Sequence, residues 1–277
     1  MNEKRKRKVK ELIKHIILWM ILIAALMPIY LMLNISLKDN QQFARNPWLP
    51  EAPYHFENYS KAWDKLKSNI FNSIFVSLTT VVLMLMFSVM GAFFFARYKH
   101  VPGANFLFYI FLILMMYPGV ANMVPTFKLI TSIHLYNSHW ALILLGISSG
   151  QAFTIFVLKN FIEEIPKDLF DAASIDGCSP LQQIRYVVIP LSMPIIGTLL
   201  VLRIINQWNR FVASLIMIRD SHKHLISVAL LHMEGEYTKQ WGELMAGYTI
   251  AALPLVILFF FGMRAFIRGL GEGALKE

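Results

Sequence analysis

Charged positions are unevenly spaced along the chain, and the intervals between them are long and apolar. Lys14 and Lys38 are separated by 23 residues without a charge, Lys67 and Arg97 by 29, Lys99 and Lys128 by 28, and Lys128 and Lys159 by 30. Arg185 to Arg203 leaves 17 and Glu243 to Arg264 leaves 20. A helix rises 1.5 Å per residue and needs roughly 20 mainly apolar residues to cross the hydrocarbon core of a bilayer. The pattern predicts six membrane-spanning helices at about 14–36, 69–95, 104–127, 139–160, 190–218 and 244–264.

The cationic residues orient these spans. Seven Lys and Arg fall between Lys4 and Lys14, directly before the first apolar run. This block resembles the n-region of a signal peptide, but the run behind it is too long for one and no A-x-A-like site follows closely. It is read as a cytoplasmic anchor ahead of a retained helix. With residues 1–14 inside, the cytoplasmic segments 1–14, 96–103, 159–189 and 264–277 hold fifteen Lys and Arg. The outer segments 37–68, 128–138 and 219–243 hold nine. Both termini are therefore expected in the cytoplasm, in a multi-pass protein of the inner or plasma membrane.

Composition agrees and narrows the class. Of 277 residues 56% are apolar and only 16% charged, with a mean hydropathy of +0.52. A soluble domain carries about a quarter charged residues, so a soluble enzyme, a disordered chain and a disulfide scaffold are excluded. The net charge of +9 sits at the membrane flanks, which argues against nucleic acid as a partner and for lipid. The single cysteine, Cys178, excludes an internal disulfide and suits a small packing residue. The eight histidines are scattered, and no metal site is expected.

Breakers mark the outer loop and the spans. Pro47, Pro50 and Pro53 favour extended chain, and Asn58–Trp63 reads as a short amphipathic helix on the membrane surface. Pro118-Gly119 and Pro125 interrupt the third span and Pro254 the sixth. Such breaks suit a translocation path, although proline is also simply commoner in membrane helices.

The cytoplasmic segment 163–190 is the most informative stretch. Pro166 is expected at the first helical position, with Asp168 in the first turn complementing the helix dipole. Gly177 is placed to end that helix in the left-handed conformation. Ser179, Pro180 and Gln182 form a capping-box sequence for a second short helix, closed by Pro190. Leu169, Ala172 and Ala173 fall on one face, where small residues permit close approach. A helix–corner–helix of this kind suits docking of a partner.

Asp171-Ala-Ala-Ser-Ile-Asp-Gly177, followed by Ile189-Pro190-Leu191 and Pro194, resembles the E-A-A…D-G…I-x-L-P loop of ABC importer permeases. Asp171 stands where that family usually has Glu, and Cys178 where it often has Ala. Asn34–Lys38, Phe56–Tyr59, Asn137–Leu142, Trp241–Gly247 and Arg268–Lys276 resemble the carbohydrate branch, in particular its six-span, maltose-type second permease. The resemblance implies the all-α fold of a type I ABC importer permease, with 163–190 as the loop that couples it to an ATPase. Asp168, Asp171, Ala172, Ala173, Asp176, Gly177 and Pro190 are the residues implied for coupling. It further implies a heterodimer with a second permease, two copies of an ATP-binding subunit and an extracytoplasmic solute-binding protein that delivers an oligosaccharide. The tail 265–277 resembles a segment that reaches between the ATPase subunits. Mg-ATP would be bound by the partner, because the chain has no G-x-x-x-x-G-K-[ST] and no catalytic residue or cofactor of its own.

The fifth span carries charge where a lipid environment disfavours it. Arg203, starting from Leu191, lies roughly 18 Å along the helix, near the bilayer centre, and an intramembrane charge is a functional hypothesis by default. Arg210 follows on about the same face, near enough to the outer interface to snorkel, with Asn206 and Asn209 nearby. Trp208 offers a ring of the kind that stacks on sugars. Trp208-Asn209 resembles the family's W-N-[ED]-F segment, with Arg210 in place of the acid. That exchange motivates an acidic solute, for instance a uronate-containing or sulfated oligosaccharide, while pairing with carboxylates of the second permease explains it as well. Tyr117, Asn122 and Lys128 lie in or just beyond the broken third span, where they either line the path or bond between helices.

These readings converge on a permease subunit of an ATP-driven oligosaccharide importer working by alternating access. An ABC permease for another small solute remains an alternative. An ion-coupled secondary transporter would require membrane carboxylates, which spans one to four lack. A membrane enzyme would require a nucleophile–base or metal set, which the sequence does not display.

Overall fold

The long uncharged intervals fold as helices. The structure, a computed structural model, describes the backbone of residues 3–116, 119–235 and 239–274, and the side chains within those ranges apart from 3–9, 120, 121 and 263–274. In chain order the helices are α1 (Glu3–Ser36), α2 (Asn40–Arg45), α3 (Glu57–Arg97), α4 (Ala104–Met116), α5 (Met123–Ser132), α6 (His139–Glu164), α7 (Lys167–Ile175), α8 (Pro180–Gln183), α9 (Ile189–Leu191), α10 (Met193–Trp208), α11 (Phe211–Met217), α12 (Ile226–Glu234) and α13 (Trp241–Ala274). No strand occurs among the described residues.

Four of the described helices are long and apolar enough to cross a bilayer: Lys10–Ser36, Glu57–Arg97, His139–Glu164 and Trp241–Gly262. A fifth crossing is available if Pro180–Leu191 and Met193–Trp208, which meet at 81°, count as one broken span. The six spans expected from the sequence are thus not six continuous helices. The third is divided: α4 has 13 residues, which is about 20 Å and short of the roughly 30 Å hydrocarbon core. A 3₁₀ turn at Gly119–Asn122 and then α5 follow it. Pro125 is accepted within the first turn of α5, where the missing N–H has no intrahelical partner to lose. Pro28 and Pro254 sit inside α1 and α13 without ending them.

The surface helix expected at Asn58–Trp63 is instead the start of α3, a single helix of 41 residues. No breaker separates the polar turn from the apolar run, so the helix propagates through both.

The chain divides into two units, Met1–Lys67 with Leu230–Leu253, and Ser68–Ala229 with Pro254–Glu277. In the first, Lys38 is 1% exposed and its ammonium donates to the carbonyls of Asn46 and Leu49. Asn58 donates to the Ser36 and Lys38 carbonyls at 2.9 and 3.0 Å. Gly242 approaches so closely that a Cβ there would lie 2.0 Å from the Lys38 oxygen. Phe43 stacks on Trp241 at 4.7 Å between centroids. The apolar surface of α1 from Leu12 to Ile29 is exposed on all sides.

In the second unit α6 packs against α4, α10 and α11. Its C-terminal half joins α3, Phe170, Val188 and α10 in one apolar cluster around Leu158 and Ile162. A second cluster gathers Val76, Ile130, Leu142, Met217 and Leu225 towards the other end of α6.

Candidate functional site

The segment after α6 is an elbow built by local capping. Pro166 is the N-cap of α7 rather than its first residue, with extended ψ of 134°. Asp168 stands exposed in the first turn, as the dipole favours. At the other end Gly177 has φ +77°. Its N–H donates to Ser174 O at 3.1 Å and that of Cys178 to Ala173 O at 2.9 Å. This pair of bonds is a Schellman motif, and it turns the chain through the corner. Ser179 and Gln182 form the expected capping box for α8. Gln183 Nε2 reaches back across the corner to Ser174 Oγ at 3.0 Å.

One face of the elbow is anchored and the other is open. Phe170 is 2% exposed, its ring 6.2 Å from that of Phe93 and 4.1 Å beneath the Arg97 guanidinium. Leu169, Ile175 and Leu181 are exposed, Ile175 by 87%. Asp171, Ala172, Asp176 and Gly177 share that exposed surface and Ala173 is half-buried. None of Asp168, Asp171 and Asp176 forms an ion pair among the described residues. Behind the elbow, Glu163 takes Lys99 at 2.7 Å and Lys159 at 2.6 Å. Leu169, Ile175 and Leu181 thus leave apolar side chains on the open face of the elbow.

Pro190 does not close the second helix as expected. The chain continues through a π-helical turn at Ile184–Val188 and through Pro190 in α9, and bends at Ser192. Pro190 and Pro194 lack N–H donors on either side of that bend, so the helical ladder is interrupted there. Ser192 still donates to Val188 O at 2.8 Å and accepts from Ile196 N at 2.9 Å.

The second constellation lies on α10. Arg203 Nε donates to Thr154 Oγ1 at 3.1 Å, and its guanidinium stands 4.7 Å from the Phe153 centroid. Arg203 Nη2 is buried with no hydrogen-bond partner among the described residues. Arg210 lies past the end of α10, where Asn209 is the C-cap. It donates through Nη2 to Ser149 Oγ at 2.6 Å and through Nη1 to Gln207 Oε1 at 3.3 Å. Both arginines therefore reach the same flank of α6, as their seven-residue spacing predicts. Two glycines of α6 lie on this flank: a Cβ at Gly146 would lie 2.8 Å from Gln207 Oε1 and 2.4 Å from Thr80 Cγ2, and one at Gly150 would lie 2.6 Å from Met84 Cε. Sequence reasoning missed this pair of glycines, because their role depends on α10 lying against α6.

The remaining candidates divide. Asn206 and Asn209 are exposed, each donating one amide hydrogen to its own helix, at Leu202 O and Ile205 O. Trp208 is 5% exposed, so its ring packs behind this surface and offers no face for stacking. Asn122 is the exposed N-cap of α5 without a side-chain cap, and Lys128 is exposed on α5. Tyr117 and the side chains of the 265–277 tail lie outside the described residues. Among the described residues no group of His, Cys, Asp and Glu is placed to hold a metal.

Known proteins share this sequence and fold. The profile of the family described as binding-protein-dependent transport system inner membrane component matches residues 88–272. The chain is 31% identical over 274 residues to the probable ABC transporter permease protein YurM of Bacillus subtilis (strain 168), covering 99% of this chain and 91% of that one. It is 32% identical over 257 residues to the arabinooligosaccharides transport system permease protein AraQ of the same organism, covering 91% and 90%. A solved chain of a bacterial ABC transporter involved in the import of the acidic polysaccharide alginate superposes with a TM-score of 0.83. That match covers 95% of this chain and 98% of the other at 22% identity, a likeness of fold.

Proposed function

The chain belongs to the family of binding-protein-dependent transport system inner membrane components, and we propose that it works as one of two permease subunits in an ATP-driven importer of an oligosaccharide. Its relatives include a permease for arabinooligosaccharides, which supports the sugar class. An extracytoplasmic binding protein delivers the solute, and a second permease pairs with this chain. Two copies of an ATP-binding subunit hold and hydrolyse Mg-ATP, so this chain contributes no catalytic residue. In this reading α4 and α5 together form one broken crossing and the bent pair at Ser192 another, which gives six crossings with both termini in the cytoplasm. The exposed apolar surface of α1 then faces lipid or the second permease.

The observation that carries the reading is the elbow, Phe170 inward and Ile175 outward on a helix of nine residues. ATP binding closes the ATPase subunits against Leu169, Ala172, Ile175 and the carboxylates of Asp168, Asp171 and Asp176. Phe170 passes the displacement to α3, and the π-helical turn and Pro190 pass it through Ser192 to α10. The spans then open outward to receive solute, and hydrolysis resets the inward-facing state.

The tagged chain, purified gently from native membranes, is expected to carry with it an ATPase and a second, related permease identifiable by mass spectrometry. Addition of sugar-loaded binding protein is expected to stimulate ATP hydrolysis by the reconstituted assembly. A stable complex lacking any ATPase would overturn the coupling role of the elbow and favour an ion-coupled transporter.

A further inference from the structure

None of the 17 Asp and Glu residues lies within the six apolar segments read from the sequence, whereas Arg203 and Arg210 both lie in the fifth. A guanidinium in the hydrocarbon region is costly unless an anion or a hydrated path compensates it. Among the described residues these two meet only neutral groups: Thr154 and Phe153 for Arg203, Ser149 and Gln207 for Arg210. Such contacts aim the guanidinia without neutralising them, which leaves both open to an anion from beyond the described residues.

We propose that the anion is the solute itself, a carboxylate-bearing, uronate-type oligosaccharide bound by Arg203 and Arg210; this rests on the oligosaccharide importer reading above. The arrangement is one of directed donors with capacity to spare. Arg203 Nη2 is buried and unbonded among the described residues. A planar guanidinium fork matches a carboxylate in bidentate fashion. On the same segment, Asn206 and Asn209 are exposed and each donates once to its own helix. Each amide retains a second N–H and its carbonyl oxygen for sugar hydroxyls. Gly146 keeps the flank of α6 clear beside Arg210, a Cβ there falling 3.2 Å from Arg210 Nη1. Two cationic anchors along one crossing, Arg203 on α10 and Arg210 just past its end, suit a chain of repeating acidic units.

The test uses the complete importer in proteoliposomes with its binding protein and ATP. Uptake is compared between oligogalacturonates or oligomannuronates and the same preparations after carboxyl reduction, which converts each uronate to its neutral sugar. The acidic forms are expected to be preferred, and Arg203→Gln and Arg210→Gln to cut their uptake roughly tenfold or more while narrowing the gap to the reduced forms. Arg210→Lys, which keeps the charge and loses the fork, is expected between them. Wild-type uptake of the reduced forms equal to or above the acidic ones would overturn the acidic solute and leave the oligosaccharide reading standing. Import of neither form would overturn both. Equal losses for both forms in the glutamine variants would assign the arginines to the contact with the second permease and overturn the proposal. The wild-type comparison needs no variant to fold.

Discussion

The Arg97 guanidinium lies 4.1 Å from the centroid of the Phe170 ring, and Phe93 closes on the same ring at 6.2 Å. Phe170 is thus the one buried side chain of α7, and it fastens a solvent-facing helix to the end of α3. Truncating such a ring leaves a cavity and costs about 3–5 kcal/mol, and the cation–π contact adds about 0.5–2 kcal/mol. Phe170→Ala is therefore expected to lower the thermal unfolding midpoint of the purified assembly and to uncouple ATP hydrolysis from solute, with Phe170→Leu milder in both. Solute-stimulated hydrolysis at the wild-type level in Phe170→Ala would show that the elbow transmits motion by another contact.

Gly177 makes a separate case, because space and conformation come apart there. A Cβ at this position meets nothing within 4 Å, yet φ is +77°. Any loss of stability within this chain is then conformational, about 1–2 kcal/mol for an ordinary L-residue and less for Asn. Uptake is expected to fall in the order Gly, Asn, Ala, Val at residue 177. An alanine variant as active as wild type would mean that the corner tolerates a different turn.

Much of this was legible in the sequence, and the exceptions share a cause. Uncharged length identified the helices, and the Gly177 and Ser179 caps were readable because capping depends on neighbours three or four residues away. Bends were not readable from length: Pro190 signalled a break, but only packing determines that it falls at Ser192 rather than at Pro190. Pro166 was displaced by one position for a similar reason, since its fixed φ serves an N-cap as well as a first helical residue. Trp208 looked available because a sequence shows a residue type and not what covers it; in the fold it is buried. The two glycines facing Arg203 and Arg210 required knowing that α10 lies against α6. A single sequence carries no such pairing.

The glycines of α6 differ in what opposes them. At Gly146 an added Cβ would meet Thr80 Cγ2 at 2.4 Å, a β-branched side chain whose χ1 is stiff on a helix. At Gly150 it would meet the Cε and Sδ of Met84 at 2.6 and 2.7 Å, the far end of a flexible thioether. Gly146→Ala is expected to cost about 1–3 kcal/mol by overpacking and to reduce both detergent stability and uptake. Gly150→Ala is expected to be nearly silent in stability. Equal unfolding midpoints for the two variants would mean that α3 yields as a rigid body rather than through its side chains.

Lys38 gives the last prediction, on the first unit. Its ammonium is buried and holds the carbonyls of Asn46 and Leu49, while its own carbonyl accepts from Asn58. Lys38→Met fills the same volume with no donor, leaving two carbonyls unsatisfied at about 1–3 kcal/mol each. The irregular segment 46–55 is expected to open more often in this variant, raising its cleavage by a nonspecific protease on the order of tenfold or more. The apolar clusters around Leu158 and Leu142, whose members do not include the 46–55 segment, should resist as before. Protection of 46–55 unchanged in Lys38→Met would mean that Asn34, which donates to Pro47 O at 2.9 Å, and Gln42, which donates to Pro53 O at 3.0 Å, suffice to hold the loop.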